Sequence, residues 1–180
     1  MGLLGWGKKQ NRQPEGVRSS DDPVTSLLTT CDPTADLSPG EAADLGAKLR
    51  AIHERNKRNS AIDGRLYSLL RRLESEASCV RGRPYTEWVA TLDELRSSGD
   101  DDTALPLLLE CIEAAERAAR VSGMEPAPGY TKRAAVVYRR RKDYAREIDV
   151  MERWESAAPP QYRGAMAKRL AAAKSLRQKM

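Results

Sequence analysis

The stretch YTEWVATLDELRSSGDDDTALPLLLECIEAAE, residues 85–116, decides the fold. Trp88, Val89, Leu92 and Leu95 recur at the spacing of one helix face. Ser97-Ser98-Gly99 then stops that helix, since glycine accepts the backbone conformation that ends a helix. Asp100, Asp101 and Asp102 follow, where the positive end of the next helix dipole favours negative charge. Capping explains these carboxylates without catalysis. Counted from Ala104, Pro106 falls in the first turn, where its missing N–H costs little. Leu105, Leu108, Leu109, Ile112, Ala115 and Ala119 keep to one side as far as Val121, and Gly123 ends the run. The pattern predicts two helices joined by a tight turn.

The same grammar extends in both directions. Downstream, Pro126-Ala127-Pro128-Gly129 reads as a stiff loop. Ala134, Ala135, Val137 and Tyr138 mark a helix from Tyr130 to Arg141. A turn around Lys142–Tyr144 leads to its mate, marked by Ile148, Val150, Met151 and Trp154. Pro159-Pro160 breaks the chain, and Tyr162–Lys179 reads as a final basic, alanine-rich helix. Upstream, Ser38-Pro39-Gly40-Glu41 is a capping box with proline at the first helical position. Helical spacing continues from Leu45 through Leu49, Ile52, Ile62, Leu66 and Leu73. The polar segment 54–60 permits either a turn or one long helix. A hairpin is favoured, because a single helix would need a partner along its whole length. Cys79–Pro84 reads as a loop. Residues 1–37 are punctuated by glycine and proline, and no apolar period lasts a full turn, so they read as a disordered tail. One all-α domain is therefore expected over 38–180. It comprises a helical hairpin at 38–82, helix pairs at 84–121 and 128–158, and a capping helix at 160–178.

The two pairs carry a family resemblance. Trp88, Leu95 seven residues on, Gly99 at the turn, and Ala104, Leu108 and Cys111 in the second helix are similar to the tetratricopeptide repeat, a helical hairpin of about 34 residues. In the second pair, Ala135, Tyr138, the turn Lys142-Asp143-Tyr144, Met151 and Pro159 resemble the same family. Ala167 and Leu170 repeat the spacing of Ala135 and Tyr138, which suits a terminal cap. Leu92 and Glu147 depart from the pattern, standing where the family places small residues. Leu95 and Tyr138 are also 43 residues apart, longer than the family period. The resemblance covers residues 85–175. It implies a right-handed α-solenoid whose inner face, lined by the first helix of each pair, binds peptides or partner helices and does no chemistry of its own. A stack this small needs a third unit, which the 38–82 hairpin or a second copy of the chain would supply.

Carried onto this chain, the resemblance places Asp93, Arg96, Lys132, Val136, Arg139, Arg140 and Lys168 on first helices, facing the groove. Most are basic, so an acidic peptide or a C-terminal carboxylate is the expected ligand class. Val136 stands where the carboxylate-gripping members use asparagine, which does not support that subtype. The expected function is a non-catalytic adaptor.

Charge supplies the alternative. The net charge is +5, but residues 83–125 hold four basic against ten acidic groups, and residues 126–180 hold fourteen against five. The basic region 132–179 makes nucleic acid the second candidate partner. It contains Arg139-Arg140-Arg141-Lys142, flanked by Tyr138 and Tyr144. Arg163, Lys168, Arg169, Lys174, Arg177 and Lys179 extend it.

Composition narrows the rest. Phenylalanine is absent, and helix formers outnumber the β-branched residues, which argues against a β-sandwich. No apolar run approaches the ~18 residues of a membrane span. Cys31, Cys79 and Cys111 are odd in number and far apart, which gives neither a disulfide framework nor a zinc site. With no signal-peptide pattern, a reducing cytoplasm is expected. His53 is the single histidine and reads as an exposed one. There is no Gly-rich phosphate loop and no nucleophile pattern, so neither enzymatic activity nor a cofactor is expected. The Ala/Arg/Leu/Glu bias suggests a high-GC bacterial source.

Overall fold

The structure is a computed structural model that describes residues 37–55 and 60–179. The expected tail, residues 1–37, lies outside the described residues except for Leu37. The described chain is all-α apart from one short two-stranded ladder.

Helix α1 (Pro39–Arg55) starts where the capping box places it. The Ser38 N–H and hydroxyl both donate to Glu41 Oε2, at 2.9 and 2.6 Å, and the Glu41 N–H returns a bond to Ser38 Oγ at 3.4 Å. Helix α2 (Ser60–Ala77) packs on α1, and both pack on a later helix, α4 (Asp101–Ser122). Gly46 explains how closely α1 approaches α4. A Cβ built there would lie 2.7 Å from the Val121 methyls, so only glycine fits.

The segment read as a loop is a hairpin. Strands β1 (Cys79–Val80) and β2 (Arg83–Pro84) pair antiparallel, with Cys79 opposite Pro84 and Val80 opposite Arg83. The two residues between them, Arg81 and Gly82, both have positive φ, at 50° and 78°. That matches the right-handed twist of a two-residue turn. Arg81 is held in this conformation by a two-pronged bond to Glu110 on α4, at 2.8 and 2.6 Å. Arg117, also on α4, donates to the carbonyls of Ala77 and Cys79 at 3.0 and 2.9 Å, tying the end of α2 to the ladder. A 3-10 turn (Tyr85–Trp88) follows, where Trp88 donates its indole N–H to the Val80 carbonyl at 3.1 Å.

Helix α3 (Val89–Ser98) and α4 form the first of two alike hairpins. Gly99, at φ 75°, donates to Arg96 O, and Asp100 N–H reaches Leu95 O at 3.0 Å. This is a Schellman closure. Asp100 then caps α4, accepting from the Thr103 N–H at 3.0 Å. Since α4 begins at Asp101 rather than Ala104, Pro106 lies in its second turn, not its first. Pro106 is exposed, so the carbonyl it fails to satisfy faces water.

Helices α5 (Pro128–Arg140) and α6 (Tyr144–Ala157) repeat this arrangement. Lys142 takes the left-handed conformation at φ 58° and donates to Arg139 O. Asp143 N–H reaches Tyr138 O at 2.9 Å, and the Asp143 carboxylate caps α6 by accepting from the Arg146 N–H at 3.1 Å. Every element of the first turn recurs 43 residues later. Helix α4 touches α1, α2, α3 and α5, while α6 bridges α5 to the last helix, α7 (Ala167–Gln178). Between α6 and α7 a second 3-10 turn (Pro160–Tyr162) replaces the start of the expected long helix. Glu155 then caps the entry to α7, accepting from Gly164 and Met166 N–H at 2.6 and 2.9 Å.

The core runs through both hairpins and includes Leu108, Cys111, Ile112, Ala135, Tyr138, Met151 and Trp154. Trp154 donates its indole N–H to Pro126 O at 2.9 Å, which keeps the buried ring satisfied. No described helix is long and apolar enough to cross a membrane.

Candidate functional site

On α5, Lys132, Val136 and Arg140 stand one turn apart and all are exposed. Val136 keeps 40% of its surface in solvent, and few large apolar side chains of the described chain do so. Beside it lies a small cleft of about 40 Å³ between α3, the start of α4, and α5. Its floor is apolar: Leu92, Ala104, Leu108 and Val137. Arg96, Arg133, Val136 and Arg140 form its walls, together with Asp101. The cleft has room for the tip of one apolar side chain.

The guanidiniums around it are held in place by acids. Asp93 binds Arg133 at 3.1 Å and lies 3.7 Å from Arg96. Arg140 binds Asp101, whose side chain is only 20% exposed. Three arginines and two aspartates therefore share the rim, and its excess charge is one positive unit. The rim of the cleft is basic only by this margin.

Four of the expected residues meet here: Arg96, Val136 and Arg140 line the cleft, and Asp93 anchors its wall. Lys132 lies one turn along the same face of α5. Two do not join them. Arg139 turns away toward α6 and grips Glu147, with Nε–Oε2 at 3.1 Å and Nη2–Oε1 at 2.7 Å. Glu147 is fully buried, so Arg139 serves the core rather than the groove. Lys168 is exposed on α7 and is not among the cleft residues. Sequence reasoning missed Arg133 and Asp101. Arg133 lies four residues before Val137 and three before Val136, a spacing that signals a shared face. Asp101 and Asp102 stand in the first turn of α4, as the dipole reading expects, but Asp100 alone makes the side-chain cap, and the other two also bind Arg140 and Arg141.

A larger cavity, about 680 Å³, opens between α1, α2 and the end of α4. Arg50, His53, Tyr67, Arg71 and Met124 are among its lining residues. Tyr67 and Met124 are 63% and 54% exposed. His53, expected to be exposed, is half-buried in this wall. Arg50 lies over Gly123, where a Cβ would come within 2.3 Å of its Nε. The sequence offered no sign of this cavity, because three separate helices build it.

Two thiols are described, and neither is activated. Burial pushes the Cys111 thiol up to about 11 and raises that of Cys79. Among the described residues no three His, Cys, Asp or Glu side chains converge on a metal-sized space. Comparison with known proteins finds no matching family model, no matching curated protein and no matching solved structure.

Proposed function

We propose that the chain is a non-catalytic interaction module, built from tetratricopeptide-like hairpins, that grips a segment of a partner protein at the α3–α4–α5 cleft. The observation that carries this reading is Val136, exposed beside an apolar-floored cleft and flanked by Lys132 and Arg140. An apolar side chain of the partner enters over Leu92 and Leu108. A neighbouring carboxylate meets Arg96 or Lys132. Desolvated apolar anchors ringed by arginine are the usual energetic centre of protein interfaces. The guanidiniums, already positioned by Asp93 and Asp101, lose little freedom on binding. The matched turns at Gly99 and Lys142 support a tandem unit, and the α1–α2 pair covers the other side of α4. Unpaired thiols suit a reducing, cytoplasmic setting.

The test is partner capture from native cells, followed by affinity measurement with the captured protein. Val136→Arg and the double change Lys132→Glu/Arg140→Glu should each weaken binding at least about tenfold, the scale of one interface hot spot. An unchanged affinity in both variants defeats the reading. Arg139→Glu is unsuitable for this purpose, because it would leave Glu147 buried opposite a second carboxylate.

A further inference from the structure

The basic region 126–180 contains two cationic runs with opposite surroundings. In the first, Arg139 binds Glu147, Arg140 binds Asp101 and Arg141 binds Asp102. Three of its four cations are thus already neutralised at short range. The second run, residues 163–179, contains six cations and no acid. Two carboxylates of neighbouring helix α6 reach it. Glu152 binds Lys174 at 2.8 Å, and Glu155 is occupied by the N–H groups of Gly164 and Met166. Arg163 reaches the Ala158 carbonyl, which carries no net charge. Arg163, Lys168, Arg169, Arg177 and Lys179 therefore keep their charge without an ion pair among the described residues. All but Arg169 are exposed.

We propose that the α7 face carrying Lys168 and Lys179 docks on the phosphodiester backbone of a nucleic acid. Charge complementarity selects a polyanion, and the rest of the surface selects which one. The exposed large apolar side chains of the described chain are Tyr67, Val89, Met124 and Val136, none of them here. A protein partner would need such an anchor. A membrane surface would need a free apolar helix face, whereas the apolar side of α7 is turned inward at Ala173 and half-covered at Leu170, with Met166 buried just before the helix. Phosphodiester chains reward charge alone. Lys168 and Lys179 stand about 16 Å apart along the helix, with Ala172 and Ser175 between them, so no bulky side chain holds the backbone off.

The experiment uses the full chain, with labelled duplex DNA and single-stranded RNA of about 20 nucleotides, read by fluorescence anisotropy across a salt series. If Arg163, Lys168 and Lys179 each meet one phosphate, duplex binding weakens about 40-fold between about 50 and 200 mM salt. Lys168→Ala/Lys179→Ala should flatten the logarithmic slope by about 1.8 units, at about 0.9 per contact. Arg140→Ala/Arg141→Ala should flatten it by less than about one unit, because those arginines are already occupied. Lys168→Arg/Lys179→Arg keeps the charge and should bind as the parent does, which separates lost contact from lost folding. The relative affinities on DNA and RNA at one salt concentration show which polymer is the better ligand. The proposal is overturned by absence of binding to both polymers at about 50 mM salt. It is equally overturned if the α7 variant leaves the slope unchanged, or if only phosphatidylserine vesicles retain the chain.

Discussion

The α3–α4 and α5–α6 hairpins solve one problem with different residues. Both turns use a left-handed residue and an aspartate cap, Gly99 with Asp100 and Lys142 with Asp143. Four positions beyond the capping aspartates the second helices diverge. The first hairpin buries Ala104 where its helices meet, and the second buries Glu147 at the equivalent place, 43 residues on. Arg96 and Arg139 are equivalent in the same sense. Arg139 has a buried carboxylate to bind and turns inward, while Arg96 has only alanine behind it and turns out to Asp93. The residue at this position of the second helix thus decides whether an arginine on the first serves the core or the rim of the α3–α4–α5 cleft.

The largest break in this comparison is Arg139→Ala, which leaves Glu147 buried without a partner. It should destabilise the protein by about 3 kcal/mol in urea or thermal unfolding. Arg139→Met/Glu147→Met removes both charges and should recover most of that loss, since buried pairs are often replaceable by apolar residues. If the single and double changes cost the same, the pair is not coupled. Next is Gly99→Ala, which forces a Cβ into a left-handed conformation and should cost about 1 kcal/mol. Lys142→Gly is its mirror image. It relieves strain at φ 58° but loosens the unfolded chain, so a gain below about 1 kcal/mol is expected.

The smallest effect is acid dependence. The Thr103 backbone N–H holds the Asp100 carboxyl below its ordinary 3.8, and Arg81 holds Glu110 below 4.5. Their stabilisation is present above those ordinary values and is lost as pH falls through the lower folded ones. Melting temperature should therefore stay level from pH 7 to about 5 and drop below about 4. Asp100→Asn, which keeps a cap, should soften that drop.

What the sequence made legible was local. The Ser38–Glu41 box and the Gly99–Asp100 turn are fixed by hydrogen bonds between residues three to five apart, so composition at those positions suffices. Lys142 escaped as a left-handed residue, because lysine gives no such signal. The β1–β2 ladder escaped because two-residue strands show no alternation, and one of them contains proline. The cleft was partly legible through the helix spacing of Arg96, Val136 and Arg140. Its charge balance was not, because Arg140–Asp101 and Arg133–Asp93 join residues about forty positions apart in sequence. The larger cavity needs α1, α2 and α4 together, and nothing local encodes it.

Helix α4 finally sets a fixed distance. Ala104 near its start lies in the floor of the cleft, and Val121 near its end lines the large cavity. Seventeen residues of one helix separate them, which is about 26 Å along the axis. The helix is a ruler between the two surfaces, graduated by the peptide backbone itself. Loops at either side can lengthen, shorten or rearrange without altering that span.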